Sequence, residues 1–449
     1  MRTKIVITVI MISSMMVAQE KLSLTVDQAV QTGLENSKTL KSSQFKVVAA
    51  EAKTSEANAA GLPSLKLNAA YTKLSEVDPF TLNFPAFGTL QADNKTVLFN
   101  TVKAQLGDNV TNNYTLRATV QQPLFTGGKI SGAKDISEAS YEATKEDFKK
   151  DRSDLIYNIK SAYWNLFRAN EFKKMVDENV GQIKAHAADA ENMMKQGLLT
   201  NNDLLKVQVQ LSDALVRQID AKNNVTLSMI ALNNTLGLPL DTEIDIISQL
   251  QTGSSSSADI NMLVKKAVEN RPEILGMNAR LKMSESNLSI ARSGWYPQIF
   301  LVGNYNYLNP NQRIFPSKAE FKGTWDVSVS LSYDLWNWNT SGSQSTQAEA
   351  QLSQTEQALS QMKDGILLEV TQSYLTLNQT NERAAVARKG VEQAEENYRV
   401  TNERYKKGLN VNSDLLDAEV ALLQAKLNYT QSLIDYELSN ARLSRSIGE

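Results

Sequence analysis

Asp414 and Asp417 stand three residues apart in the stretch RYKKGLNVNSDLLDAE, residues 404–419. On a helix that spacing puts both carboxylates on one face. Such a pair could attract cations, or it could favour the positive end of a helix dipole. Thr200-x-x-Asp203 has the form of a capping box, Ser413 stands four residues before Asp417 in a looser version of it, and from the residues alone the capping reading leads. Little else in the chain offers chemistry. The single histidine, His186, lies among alanines in a polar helical stretch and is expected at the surface. There is no cysteine, which excludes disulfides, thiolate metal sites and a lipid-modified N-terminal cysteine. Without a clustered acid–base set, no enzyme, metal site or cofactor is expected. A formal charge of −2 supplies no basic field for nucleic acid.

What must position these aspartates is a helix break that the chain writes twice. MKQGLLTNNDLLKV, residues 194–207, repeats the Lys-x-Gly-Leu and Asp-Leu-Leu of residues 406–416. Aligned on itself, the sequence shows two constant offsets. Asn36 matches Asn270 and Pro63 matches Pro297, each 234 apart. Leu124, Tyr163, Gly197 and Asp203 match Leu335, Tyr374, Gly408 and Asp414 at 211, as does Leu236-Gly237 with Ile447-Gly448. The chain therefore reads as a duplication, with about 23 extra residues between Pro63 and Leu124 in a loop of the first copy. The first repeat spans 19–237 and the second 258–449, with a Gly/Ser-rich linker, 238–257, between them. Each repeat is laid out as helix, strand pair, very long helix, break and return helix.

The strands rest on alternation with a period of two. Leu65, Leu67, Ala69 and Tyr71 oppose Lys66, Asn68 and Thr72; Leu116, Ala118 and Val120 oppose Arg117, Thr119 and Gln121. In the second hairpin, Ile299, Leu301, Tyr305 and Tyr307 share a face, as do Trp325, Val327, Val329, Leu331, Tyr333 and Leu335. The hairpins cover about 64–124 and 298–336. Each strand is about ten residues long, enough to cross a bilayer when tilted. Trp295, Tyr296, Trp325, Trp336 and Trp338 sit near strand ends, where rings form membrane-interface girdles. Four strands cannot close a barrel, which needs about eight, and an open edge in lipid leaves backbone groups unpaired. The barrel must then be shared, with eight strands from two chains or twelve from three.

The long helices are expected over about Ala133–Gln196 and Ser345–Lys407, where proline is absent. The second return helix carries a heptad-like stripe, Leu416, Val420, Leu423, Leu427, Ile434, Leu438 and Ala441, which suits coiled-coil packing. At the N-terminus, Arg2 and Lys4 precede the apolar run IVITVIMISSMMV and a small residue, Ala18. That is the pattern of a signal peptide over 1–18, and the run is too short to span a membrane.

The duplicated helix–hairpin–long-helix unit, the proline at the helix-to-strand junction and the Gly-Leu…Asp-Leu-Leu break together resemble the TolC-like outer-membrane efflux protein family over Gln19–Glu449. The resemblance implies an α+β membrane protein and a homotrimer. Long coiled-coil-like helices would build an α-barrel in the periplasm. Four transmembrane strands per chain would join a shared twelve-stranded β-barrel in the outer membrane of a Gram-negative-type cell. It also implies a passive exit duct of a tripartite efflux system, with a periplasmic membrane-fusion adaptor and an inner-membrane transporter as partners. By the same resemblance Asp414 and Asp417 form an acidic constriction, and Tyr405 and Asp203 belong to a gate network. Asn410 stands where the family pattern has a latch arginine. Gly197, Leu198, Gly408 and Leu409 mark adaptor-docking tips. The same duct would serve type I protein secretion. A periplasmic coiled-coil adaptor, the alternative of another class, would have one helical hairpin and not two matched halves.

Overall fold

The computed structural model describes residues 21–78, 81–85, 88–90, 97–98, 101–105, 110–248, 250, 259–315 and 317–449. The expected signal peptide and much of the expected linker lie outside the described residues. In chain order, β1 (Leu22–Leu24) precedes α1 (Val26–Asn36) and α2 (Lys38–Ala59). Strand β2 (Ser64–Lys73), the short strands β3 (Thr81–Pro85), β4 (Thr89–Leu90), β5 (Val97–Leu98) and β6 (Thr101–Gln105), and β7 (Asn112–Phe125) follow. Then come α3 (Lys129–Lys195), α4 (Asn201–Leu236), β8 (Ile244–Ile246), α5 (Ile260–Asn270) and α6 (Pro272–Arg292). The second half continues with β9 (Gln298–Asn309), β10 (Lys322–Ser332), α7 (Thr340–Lys406) and α8 (Asn412–Ser446).

Four details depart from the sequence reading. Each opening helix is split, at Ser37 and at Arg271. The Ser37 hydroxyl accepts from the Leu40 N–H at 3.1 Å and restarts the helix as α2, and Pro272 supplies the preset φ of a first helical residue to α6. The extra residues of the first copy, expected as a loop, pair in part as β3 with β6 and β4 with β5. The apolar patch of the expected linker is strand β8, parallel to β1. Strand β10 ends at Ser332, so Tyr333 and Leu335 lie beyond it.

The chain divides into two compact units, each assembled from both halves of the sequence. One, built from Ala49–Tyr141 and Ala279–Gln357, holds an antiparallel sheet in the order β10-β9-β7-β2. Its register aligns the alternating sets. Leu67 faces Ala118, Ala118 faces Tyr305, and Tyr305 faces Trp325, all on one side. Leu65, Leu67, Trp325, Val327, Val329 and Leu331 on this side are all more than 60 % exposed. The other side is mainly polar, apart from Phe300 and Val302 of β9, and is hydrogen-bonded across strands. Arg117 donates to the Asn306 side chain at 2.7 Å, and Thr119 to that of Asn304 at 2.8 Å. Asn304 and Asn306 in turn donate to the two Asp326 oxygens at 2.8 and 3.2 Å. These cross-strand bonds pin the register, because a slip of one residue would exchange the faces.

In the other unit, residues up to Val48 with Glu142–Asn278 and Ala358–Glu449, the regular elements among the described residues are helices apart from β1 and β8. Ile159, Tyr163, Leu166, Leu232, Leu236 and Ile434 form a core with Leu24 and Ile244. On α3 the row Val176, Val180, Ile183 and Ala190 packs with Leu204, Val207, Ala214 and Ala221 of α4. Steps of three and four make this a coiled-coil seam. On α8 the buried row is Leu415, Ala418, Leu422, Leu433, Ile434 and Leu443. The expected stripe lies largely beside it: Leu416, Leu423, Leu427 and Leu438 are half-buried and Val420 is exposed. A helix that meets several neighbours has an apolar band wider than one heptad row. Among the described residues no helix is long and apolar enough to cross a membrane.

Candidate functional site

The helical unit brings the repeated Gly-Leu breaks and most of the singled-out residues onto α3, α4, α7, α8 and their two turns. The turns close alike. Leu198 donates to the Met193 carbonyl at 2.9 Å and Gly197 to that of Met194 at 2.9 Å. Leu409 and Gly408 donate to Arg404 and Tyr405 at the same distances. Both are Schellman caps, which need a left-handed residue; Gly197 has φ 77° and Gly408 φ 71°. The leucine after each glycine often folds back onto its helix in this motif, yet Leu198 and Leu409 are 70 % and 66 % exposed.

The following helices start differently. Thr200 caps α4: its hydroxyl accepts from the Asp203 N–H at 3.2 Å and donates to the Asp203 carboxylate at 2.6 Å. The Thr200 hydroxyl holds the Asp203 carboxyl below the usual carboxylate range, with help from Lys206. At the matching place before α8 stands Val411, which has no side-chain cap. Asn412 and Ser413 are already the first helical residues, so neither caps α8 and no box joins Ser413 to Asp417. Asn412 is buried, and its amide approaches the Asp203 carbonyl at 3.5 Å.

Behind these turns lies a polar pocket that the sequence conceals. His186, expected at the surface, is 5 % exposed. The alanines around it are the reason, because small side chains let helices approach closely. Its Nδ1 lies 3.9 Å from Glu419 Oε2 on α8, and its ring meets the Tyr405 ring edge-on at 5.3 Å between centroids. Tyr405 is 6 % exposed, and its hydroxyl has no hydrogen-bond partner among the described residues. Burial pushes that hydroxyl's pKa up, and the charges of Asp189, Asp203 and Glu419 add to the effect. No bond joins Tyr405 to Asp203 within the chain. Sequence reasoning missed Glu419 and saw in Asn412 only a candidate helix cap. Glu419 had a signal: it lies four residues after Leu415 and three before Leu422, on the row that packs.

Asp414 and Asp417 are exposed on the first two turns of α8, and neither carboxylate is paired among the described residues. Asn410 is half-buried in the turn. The described residues contain no group of three or more His, Cys, Asp or Glu able to hold a metal. In the sheet unit the aromatics that the sequence singles out lie near the two ends of β9 and β10. Trp295, Tyr296, Trp336 and Trp338 lie around the start of β9 and the end of β10, all exposed, with Trp336 and Trp338 in edge contact at 5.6 Å. Toward the other end, Trp325 faces Tyr305, and Phe321 stacks on Tyr307 at 5.1 Å. The geometry offers a two-faced sheet, an acidic helix start and two exposed apolar turns.

Residues 29–238 and 263–449 each match the family model described as outer membrane efflux protein. The chain is 23 % identical to outer membrane protein TolC of Vibrio cholerae over 313 residues, 70 % of each chain. It is 22 % identical to toxin and drug export protein A of Aggregatibacter actinomycetemcomitans, covering 73 % of this chain and 72 % of that one. The solved structure of outer membrane protein VceC from Vibrio cholerae superposes with a TM-score of 0.75 at 17 % identity, over 94 % of this chain and 96 % of that one. The two separate matches to one family model meet the two repeats, so the chain belongs to the outer membrane efflux protein family.

Proposed function

We propose that three copies of this chain form the exit duct of a tripartite efflux system. The observation that carries this reading is the four-stranded sheet with one exposed apolar face, one polar face and two unpaired edge strands, β2 and β10. An apolar face of that kind suits lipid. Each unpaired edge backbone group costs several kcal/mol in hydrocarbon, so the edges join those of neighbouring copies. Three copies give a twelve-stranded barrel with the Arg117–Asn306–Asp326 side facing a water-filled lumen. The helices then wall the periplasmic passage. Leu198 and Leu409, apolar and uncovered at the turns, meet a periplasmic adaptor, and the adaptor links the duct to an inner-membrane transporter that supplies the energy. Asp414 and Asp417 line the mouth as an acidic constriction.

The test is mass measurement of the detergent-solubilised full chain, with fractionation of cell envelopes. A trimer in the outer-membrane fraction, dissociating on heating, is expected. A stable monomer would overturn the shared barrel. A trimer that gives no conductance in planar bilayers would overturn the duct.

A further inference from the structure

The duplication makes one half of the chain a template for the other. Over the long and return helices, a second-repeat residue stands 211 positions after its first-repeat equivalent. Within the chain the two repeats meet where α3 lies in the groove between α7 and α8. Arg445 of α8 bonds Asp154 of α3 at 2.7 Å and stands 3.6 Å from Glu369 of α7. Its guanidinium also lies over the Tyr157 ring, 5.7 Å from the centroid. Further along, Arg168 of α3 reaches Asp435 of α8 at 3.1 Å. Between these ion pairs Leu438 packs on the core that holds Trp164. Asp154, Tyr157, Trp164 and Arg168 follow one another by three, seven and four residues, so they share one face of α3. Asp435, Leu438 and Arg445 share a face of α8 in the same way.

Carried across the duplication, the same two faces are uncovered. Gly365, Leu368, Leu375 and Gln379 of α7 are the equivalents of the α3 face, and Asn224, Leu227 and Asn234 of α4 are those of the α8 face. Leu368, Leu375 and Leu227 are each more than half exposed, whereas Trp164 is buried and Leu438 half-buried. Between α3 and α4 runs an open groove of about 1010 Å³ with Asn224, Leu227 and Asn234 in its wall. It is the first-repeat equivalent of the groove that α3 fills. The chemistry differs between the two. Where the in-chain junction has Asp154, Arg168, Asp435 and Arg445, the uncovered faces have Gly365, Gln379, Asn224 and Asn234, and no charge.

We infer that the groove between α3 and α4 holds the Gly365–Gln379 face of α7 from a second copy of this chain, with side-chain amides in place of the in-chain ion pairs. Gln379 of one copy pairs with Asn224 of the next, since each amide both donates and accepts. Asn234 lies over Gly365, and Leu368 and Leu375 cover Leu227. The inference rests on the reading of three copies around one axis, and it adds the order in which the halves stand. If a neighbour's α7 entered the α7–α8 groove in place of α3, Arg445 would meet Gly365 and Asp435 would meet Gln379. Two charges would then be shut away without partners, which is costly. If a neighbour's α3 entered the α3–α4 groove, Asp154 and Arg168 would likewise face only Asn234 and Asn224. The mismatch admits one arrangement, with first and second repeats alternating around the ring.

The chain has no cysteine, so thiols introduced as N224C and Q379C are its only ones. In cell envelopes treated with a short bis-maleimide and then denatured, the double variant is expected to run as covalent dimers and trimers, and each single variant as the monomer. R168C with D435C, the in-chain equivalent, is expected to link without a gain in mass. A second arm reads the charges. A Cβ at Gly365 meets nothing within 4 Å, so the chain itself accommodates G365D. N234R alone and G365D alone are each expected to lower the fraction of trimer that survives heating. Together they should restore it, because the pair recreates that of Arg445 with Asp154. A trimer of correct mass in which N224C and Q379C fail to link, or in which the double charge variant resists heat no better than either single one, would overturn the groove contact and leave the shared barrel standing. A full chain that is monomeric by mass would overturn both.

Discussion

Arg445, in the last turn of α8, places both Nε and Nη2 at 2.7 Å from Asp154 Oδ1 on α3. Lys150 donates to the other Asp154 oxygen at 2.7 Å. Burial opposes the Asp154 charge, but the hydrogen bonds from Lys150 and Arg445 outweigh it and hold the carboxyl below its usual range. A carboxyl depressed in the folded state contributes stability that is full above its unfolded value and fades as pH falls through the folded one. D154N is therefore expected to lower stability at neutral pH by about 1–2 kcal/mol. In strong acid the difference should shrink. Urea midpoints for both proteins at neutral and at acid pH check this; an equal loss at both would mean the charge contributes nothing.

Thr200 and Val411 occupy matching places before the return helices, and only the threonine caps. T200A should weaken the start of α4 by about 1 kcal/mol, and V411T should strengthen that of α8 by a similar amount. Hydrogen exchange at the Asp203 and Asp414 amides reads both effects locally. Opposite signs are expected, and a V411T protein whose Asp414 amide exchanges as fast as before would show that the turn geometry forbids capping.

The unpaired carboxylates of Asp414 and Asp417 make the proposed acidic constriction open to a direct test. Replacing both by alanine is expected to raise the concentration of divalent cation needed to block the channel by about tenfold, equivalent to about 1.4 kcal/mol. Because neither side chain holds a partner among the described residues, assembly should be unaffected. Unchanged block in a normally assembled protein would remove the constriction from these two residues.

Tyr405 buries a hydroxyl that bonds to nothing among the described residues. Y405F removes that unsatisfied group and keeps the ring against His186, so stability should stay level or rise by up to about 1 kcal/mol. Resting conductance should not change. A clear rise in conductance would reveal a hydrogen bond made to another copy of the chain.

Periodicity carried most of the fold. The alternation in residues 64–72 and 325–331 placed strands because side chains on a pleated sheet change face at every residue. The proline-free runs marked α3 and α7 to within a few residues. The buried histidine escaped for a reason built into helix packing. A stretch such as AHAADA looks like surface by composition, yet small residues are what a close helix contact needs. The strand pair β1–β8 escaped because three residues are too few to show a period. The row on α8 slipped sideways because apolar residues occupy two adjacent faces, and sequence does not say which face meets its own chain. Of the site, the duplicated Schellman turns were legible through Gly-Leu. The His186–Glu419 approach was not, since it joins helices more than 200 residues apart.

The bare side of the sheet also bears on how the protein is made. From Leu65 on one edge strand to Leu331 on the other, it carries aliphatic and aromatic residues with no cover of its own. On the proposed shared barrel, a newly made chain whose bare side has not met lipid and whose edges have not met those of other copies is sticky and templating, the state in which strands recruit one another into aggregates. Delivery is then a race against precipitation. The cell must escort the chain across an aqueous space, and overproduction without that escort should yield insoluble material.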